Sequence, residues 1–80
     1  MAVSFAQDIR PLFTDTDVAH MRHFRVKLDD FDYMRNPRHA QHVLNQVSTG
    51  KMPPRRSGEP AWSPETVQLF RDWIAGGYQP

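Results

Sequence analysis

The chain has 80 residues, no cysteine, and a net charge of +1 from ten basic and nine acidic side chains. Its length predicts one small domain, residues 1–80, and its balanced charge provides no field that would attract nucleic acid or an anionic membrane surface. The missing cysteines exclude disulfides, thiolate metal sites and haem attached through thioether bonds.

The first predicted element is a helix that begins after Ser4. Ser4 and Gln7 have the spacing of a capping box, and apolar side chains then recur at helical intervals. These apolar side chains are Phe5, Ile9, Leu12 and Phe13. Pro11 lies within this run, and because proline cannot donate a backbone hydrogen bond, it is expected to bend or end the helix.

A short second helix is predicted next, since the run Thr14-Asp15-Thr16-Asp17 offers several N-caps. The side chains expected on its inward face are Val18, Met21 and Phe24. The residues from Arg25 to Leu28 are a predicted connection. Asp29 is then the expected cap of a short turn that brings Phe31 and Met34 together.

A third helix is predicted from Asn36, which has the position of an N-cap before Pro37 at the first helical residue. Its apolar stripe consists of Ala40, Val43, Leu44 and Val47. The helix is expected to end at Gly50. The proline-rich stretch from Met52 to Ala61 predicts an irregular, stiffened loop.

The last helix has the clearest signals. Ser63 is a predicted N-cap, Pro64 follows at the first helical position, and Trp62 and Val67 have the spacing of a hydrophobic staple. The same face continues through Phe70, Trp73 and Ile74. Gly76 is expected to stop the helix. Because no segment alternates with a period of two residues, the sequence predicts an all-α fold with essentially no sheet.

The order of these motifs resembles that of class I cytochrome c domains. The Ile-x-Pro-x-Phe pattern at residues 9–13 resembles the family's opening helix, and Gly50-Lys51-Met52-Pro53-Pro54 resembles the loop that supplies a methionine as second axial ligand. The aromatic stretch from Trp62 to Gly77 resembles the family's terminal helix. The resemblance implies a small arrangement of three to five helices, in which the N- and C-terminal helices cross beside a central pocket.

The family's haem attachment motif, Cys-x-x-Cys-His, is replaced. Asp17 and His20 stand at the two cysteine positions, and Met21 stands where the axial histidine is expected. A carboxylate and an imidazole cannot form thioether bonds, so the resemblance implies a haem-less homologue without a bound cofactor. Close packing then predicts that large side chains fill the pocket. The expected filling residues are Met21, Phe24, Leu28, Phe31, Met34 and Met52.

Two binding alternatives compete with this interpretation. Met21 and Met52 match the family's two axial positions, which would allow non-covalent haem binding or electron transfer. The simpler interpretation is that these flexible side chains fill the space that haem would occupy and bind no ligand. Two His-x-x-His pairs would suit a divalent metal, although no acidic side chain stands at an obvious completing position. These histidines are His20, His23, His39 and His42.

The remaining features favour a binding role over catalysis. No nucleophile–base arrangement or glycine-rich phosphate motif is present in the sequence, so we expect no enzyme activity. Lys51, Arg55 and Arg56 are the first candidates for an interaction surface. No run reaches the length of a membrane span and no signal peptide is visible at the amino terminus. The sequence predicts a monomeric, cytoplasmic structural or interaction domain with an unknown protein partner and no nucleic-acid or membrane ligand.

Overall fold

The computed structural model of the chain describes residues 3–52 and 58–80. A π-helical turn, Phe5–Ile9, continues into a 3₁₀ turn, Arg10–Leu12, and together they form the N-terminal helix. Four α-helices follow in these described residues: α1 (Asp15–Arg22), α2 (Phe31–Met34), α3 (Pro37–Ser48) and α4 (Pro64–Ala75). The described part of the chain contains no strand, which confirms the predicted all-α class.

The N-terminal helix departs from a regular α-helix around Pro11. Its start follows the prediction in part: the Ser4 hydroxyl accepts the Gln7 N–H at 3.3 Å, whereas the Ser4 N–H donates to the Asp8 carboxylate at 2.8 Å instead of the Gln7 side chain. The helix changes from π to 3₁₀ at Arg10. Since Pro11 has no N–H to continue the ladder, this change is the expected interruption.

The two short helices are capped by acidic and hydroxyl side chains. Thr14 and Asp17 form a complete capping box on α1, with N–H to oxygen distances of 3.1 and 3.2 Å. The predicted cap of α2 was wrong by one residue, because Asp30 rather than Asp29 accepts the exposed N–H groups of its first turn. The error is small since adjacent aspartates offer the same local chemistry.

The two longer helices begin where their sequences predict, and each ends within two residues of the glycine expected to stop it. The side chains of Asn36 and Ser63 cap α3 and α4 by accepting backbone N–H groups at 3.0 and 3.2 Å. The chain leaves these helices through Gly50 and Gly77, whose φ angles are +79° and +90°. Glycine adopts this left-handed backbone without steric penalty, so both helices end sharply.

The core lies where the N-terminal helix and α3 pack against α4. Phe5 and Phe70 contact the fully buried Trp73, with ring centroids 5.5 and 5.6 Å away. The Gln79 carbonyl accepts both the Phe5 N–H at 2.9 Å and the Trp73 indole N–H at 2.8 Å. The carboxyl-terminal residues therefore join the N-terminal helix to α4.

The predicted filling of the interior is correct for some side chains and wrong for one. Leu28, Met34 and Met52 are buried, and Met21 and Phe31 are half-buried. Phe24 was predicted to point inward, yet 65% of it is exposed. The helical period that placed Phe24 inside does not apply because α1 ends at Arg22.

Candidate functional site

An open cleft of about 360 Å³ lies between the end of α1, the central part of α3 and the segment after α3. Its apolar lining consists of Met21, Phe24, Val26 and Met52. Its polar lining consists of His20, His42, Gln46 and Lys51. None of the described residues that line the cleft is acidic, so its electrostatic character is neutral to positive.

The first wall is built by a tight reversal after α1. The Val26 N–H donates to the Met21 carbonyl at 3.1 Å, and Arg25 between them has a left-handed φ of +62°. This is the hydrogen bond of a Schellman motif, with arginine where glycine is usual. The reversal buries Val26 and leaves Phe24 at the rim, where its ring lies 5.4 Å from the His20 ring.

The second wall is built by the end of α3. The Gln46 carbonyl accepts the N–H groups of both Lys51 and Met52, at 3.0 and 3.1 Å. Gly50 makes this turn without strain. The turn folds Met52 back against α3, so its side chain is only 3% exposed while Lys51 stays at the surface.

The structure brings Met21 and Met52, the two predicted axial positions, to one cleft. They come from segments 31 residues apart, and Met52 forms part of the core while Met21 is half-buried. The sequence therefore located two residues that share a site. It did not establish that the site is open on one side.

The four histidines lie in different surroundings. His20 and His42 line the cleft together, although they belong to different predicted pairs. His39 instead contacts the Tyr33 carbonyl through Nδ1 at 2.8 Å, and its ring stacks on the Tyr33 ring at 3.8 Å. His23 is exposed. In residues 3–52 and 58–80, no group of three or more His, Cys, Asp or Glu side chains has a metal-binding arrangement.

The predicted interaction residues can be placed only in part. Lys51 lines the cleft beside the apolar side chains. Arg55 and Arg56 lie outside the described residues. Phe24, which the sequence analysis assigned to the interior, is the large apolar side chain left exposed among the described residues. No local signal marks the end of α1 at Arg22, because arginine rather than glycine stands at the left-handed position that follows it.

A second pocket, of about 390 Å³, lies beside the N-terminal end of α1 and contains a carboxyl pair. Asp17 is 3% exposed, and burial, followed by a hydrogen bond with the Glu59 carboxyl, raises the pKa of Asp17. The sequence identified Asp17 as a cap but missed its pairing with Glu59. No local pattern indicates a contact between residues so far apart in the chain.

Within the described residues, no helix has the length and apolar character needed to cross a bilayer. No protein-family model, curated protein or solved structure matches the chain. Function is therefore inferred from the cleft itself.

Proposed function

We propose that this chain is a small, haem-free, cytochrome c-like domain that acts by binding another protein. The contact surface is the mouth of the cleft, with Phe24 and Lys51 at its rim. The observation that carries this proposal is the 65% exposure of Phe24 beside an open, partly apolar cleft. The proposal includes a monomeric, cytoplasmic protein without catalytic activity.

The residues around the exposed Phe24 also include an unfavourable backbone conformation, which supports a binding role for this part of the chain. Burying a phenylalanine side chain fully is worth about 1.5–3 kcal/mol, which this fold does not gain at position 24. Next to it, Arg25 has a φ of +62°, and left-handed conformations of non-glycine residues cost on the order of 1–3 kcal/mol. Such combinations cluster at binding sites, because a partner covers the side chain that the fold leaves outside.

The charge of the rim indicates the chemistry of the partner. Lys51 lies at the cleft with His20 and His42, and no described lining residue is acidic. A complementary partner presents an apolar side chain for the cleft, flanked by carboxylates for the rim. Opposite charges at a rim mainly accelerate association, so the association rate should fall as ionic strength rises.

The haem-free part of the proposal is supported by the occupied interior. Leu28 and Met34 are fully buried and Met52 is nearly so, which leaves the cleft open at the surface rather than at the centre of the fold. Asp17 and His20 provide no thiol for covalent attachment. These side chains favour a domain that uses its surface over one that encloses a cofactor.

The experiment uses a photoreactive benzoylphenylalanine in place of Phe24 to crosslink the partner in cells, followed by calorimetry with the purified pair. Phe24→Ser should weaken binding at least about tenfold, or about 1.4 kcal/mol, because the rim loses its apolar anchor. Lys51→Glu should also weaken binding. Lys27→Glu is the matched control, since Lys27 is the other lysine, is exposed, and does not line the cleft.

Two outcomes would contradict the proposal. A crosslinked protein whose affinity is the same for wild type, Phe24→Ser and Lys51→Glu does not bind at this surface. Equal weakening by Lys51→Glu and Lys27→Glu would show a general charge effect rather than a contact at the cleft.

A further inference from the structure

The same cleft brings together four side chains with metal-binding atoms. Met21 and Met52 contribute thioether sulfurs, and His20 and His42 contribute imidazole nitrogens. We propose that the cleft binds one Cu(I) ion through these four residues. The inference concerns the interior of the cleft and is independent of whether a protein binds at its rim.

The chemistry of the four donor side chains favours Cu(I) over hard divalent cations. Thioethers are soft, uncharged ligands that favour Cu(I), and imidazole also suits copper. Hard cations such as Mg²⁺ and Ca²⁺ require oxygen ligands, and none of the described lining residues is a carboxylate. Lys51 adds positive charge at the same cleft. A monovalent ion is repelled less by this lysine than a divalent ion is, because Coulomb energy scales with the product of the charges.

Hydrogen bonds fix the backbone at both methionines. His20 and Met21 lie in the last turns of α1, whose end is fixed by the hydrogen bond between Val26 and Met21. Met52 is held against α3 by the Gln46 carbonyl. Methionine has three rotatable bonds, so the two sulfurs can adjust to an ion without movement of the chain.

The imidazoles are more exposed than the thioethers, which suits the entry of an ion from solvent. Met52 is 3% exposed and Met21 is half-buried, whereas both imidazoles are exposed. An ion arriving from solvent therefore meets His20 and His42 first and the thioethers deeper in the cleft. The remaining methionine of the described core, Met34, is fully buried and does not line the cleft.

The first test is an anaerobic titration in which the protein competes with a chromophoric Cu(I) chelator. Wild type should take up one Cu(I) per chain. Met21→Leu and Met52→Leu should each weaken binding at least about tenfold, since loss of an outer-shell group alone costs that much at many metal sites. Both substitutions nearly conserve volume and keep the fold.

Matched controls are available for each type of donor. Met34→Leu removes a buried thioether outside the cleft, and His23→Gln removes an exposed imidazole just beyond α1. Both should leave Cu(I) affinity unchanged, whereas His20→Gln and His42→Gln should lower it.

The second test uses wild type alone and does not depend on whether a variant folds. Ag(I), a diamagnetic analogue of Cu(I), is added to protein labelled with ¹³C at the methionine methyl groups. The methyl signals of Met21 and Met52 should shift together and saturate at one equivalent, while that of Met34 stays in place. Absence of saturable shifts, shifts confined to Met1, equal weakening by Met34→Leu, or Zn(II) competing as strongly as Cu(I) would each overturn the proposal.

Discussion

Asp17 shows how one buried carboxyl links stability to pH. Its pKa is raised above the ordinary value of 3.8 by burial and by the hydrogen bond with Glu59. Between 3.8 and the raised value, the folded chain keeps a proton that the unfolded chain has lost. The contribution of Asp17 to stability is therefore complete at low pH and is lost as pH rises through the raised pKa.

This sign predicts that Asp17→Asn stabilises the protein at neutral pH. The asparagine oxygen can still accept the Thr14 N–H, while the cost of a buried charge disappears. We expect a higher Tm at pH 7, and each kcal/mol of added stability corresponds to about 4–8 °C in a domain this small. Below the pKa that Asp17 has in the unfolded chain, the substitution should not raise Tm. Thermal melts across this range provide the measurement, with Asp15→Asn as an exposed control on the same turn. An Asp17→Asn gain that is equal at every pH would contradict the linkage.

Arg25 is the residue at which the reversal after α1 carries backbone strain. Glycine adopts a φ of +62° freely, whereas a residue with a Cβ pays roughly 1–2 kcal/mol in this region. Arg25→Gly should therefore raise the free energy of unfolding by about 0.5–1 kcal/mol, after the greater flexibility of unfolded glycine is included. Urea denaturation measures the change. Arg71→Gly, in the regular backbone of α4, should instead destabilise by about 1 kcal/mol; equal effects of the two variants would exclude strain at Arg25.

At the scale of elements, the predictions were correct where residues close together in the chain determine the structure, as at the starts of α3 and α4. Asn36 and Pro37 start α3, and Ser63 and Pro64 start α4, because a cap and its N–H partner lie within one turn. The end of α1 was missed because a non-glycine residue occupies the left-handed position. The missed end is what put Phe24 on the wrong side of the molecule.

Only part of the candidate site could be predicted from the sequence. The resemblance selected Met21 and Met52, and the structure places both at one cleft. The location of His20 and His42 in one cleft, like the interaction of Asp17 with Glu59, depends on how distant segments pack. Spacing along the chain carries no information on such contacts, so it could not indicate that His20 and His42 share a cleft.

The packing of Phe70 on α4 leads to a prediction for the core. Phe70 is fully buried and its ring lies 6.2 and 5.6 Å from those of Trp62 and Trp73. Phe70→Ala should lower the free energy of unfolding by about 3–5 kcal/mol, enough to unfold a marginal domain. Leu69→Ala, at a half-buried neighbour on α4, should cost clearly less. Circular dichroism melts that are the same for both variants would show that α4 packs through a different face.

At the scale of the whole molecule, α3 contributes to both the core and the cleft. Val43 and Val47 of this helix are buried in the hydrophobic core, whereas His42 and Gln46 line the cleft. One helix therefore both stabilises the fold and exposes functional groups. Changes to His42 should alter ligand binding with little effect on stability, since that side chain is exposed.

The same arrangement predicts how the protein responds to hemin. The aligned axial side chains are both methionines, imidazole is the better ligand for ferric haem iron, and Leu28, Met34 and Met52 fill the interior. A hemin titration should give only a weak, non-saturating change in the Soret region. Met52→Ala should lower the free energy of unfolding by about 2–5 kcal/mol, because this side chain is part of the core. Stoichiometric uptake with a sharp low-spin spectrum, lost in both Met21→Ala and Met52→Ala, would instead establish a non-covalent haem protein that uses the two thioethers as axial ligands.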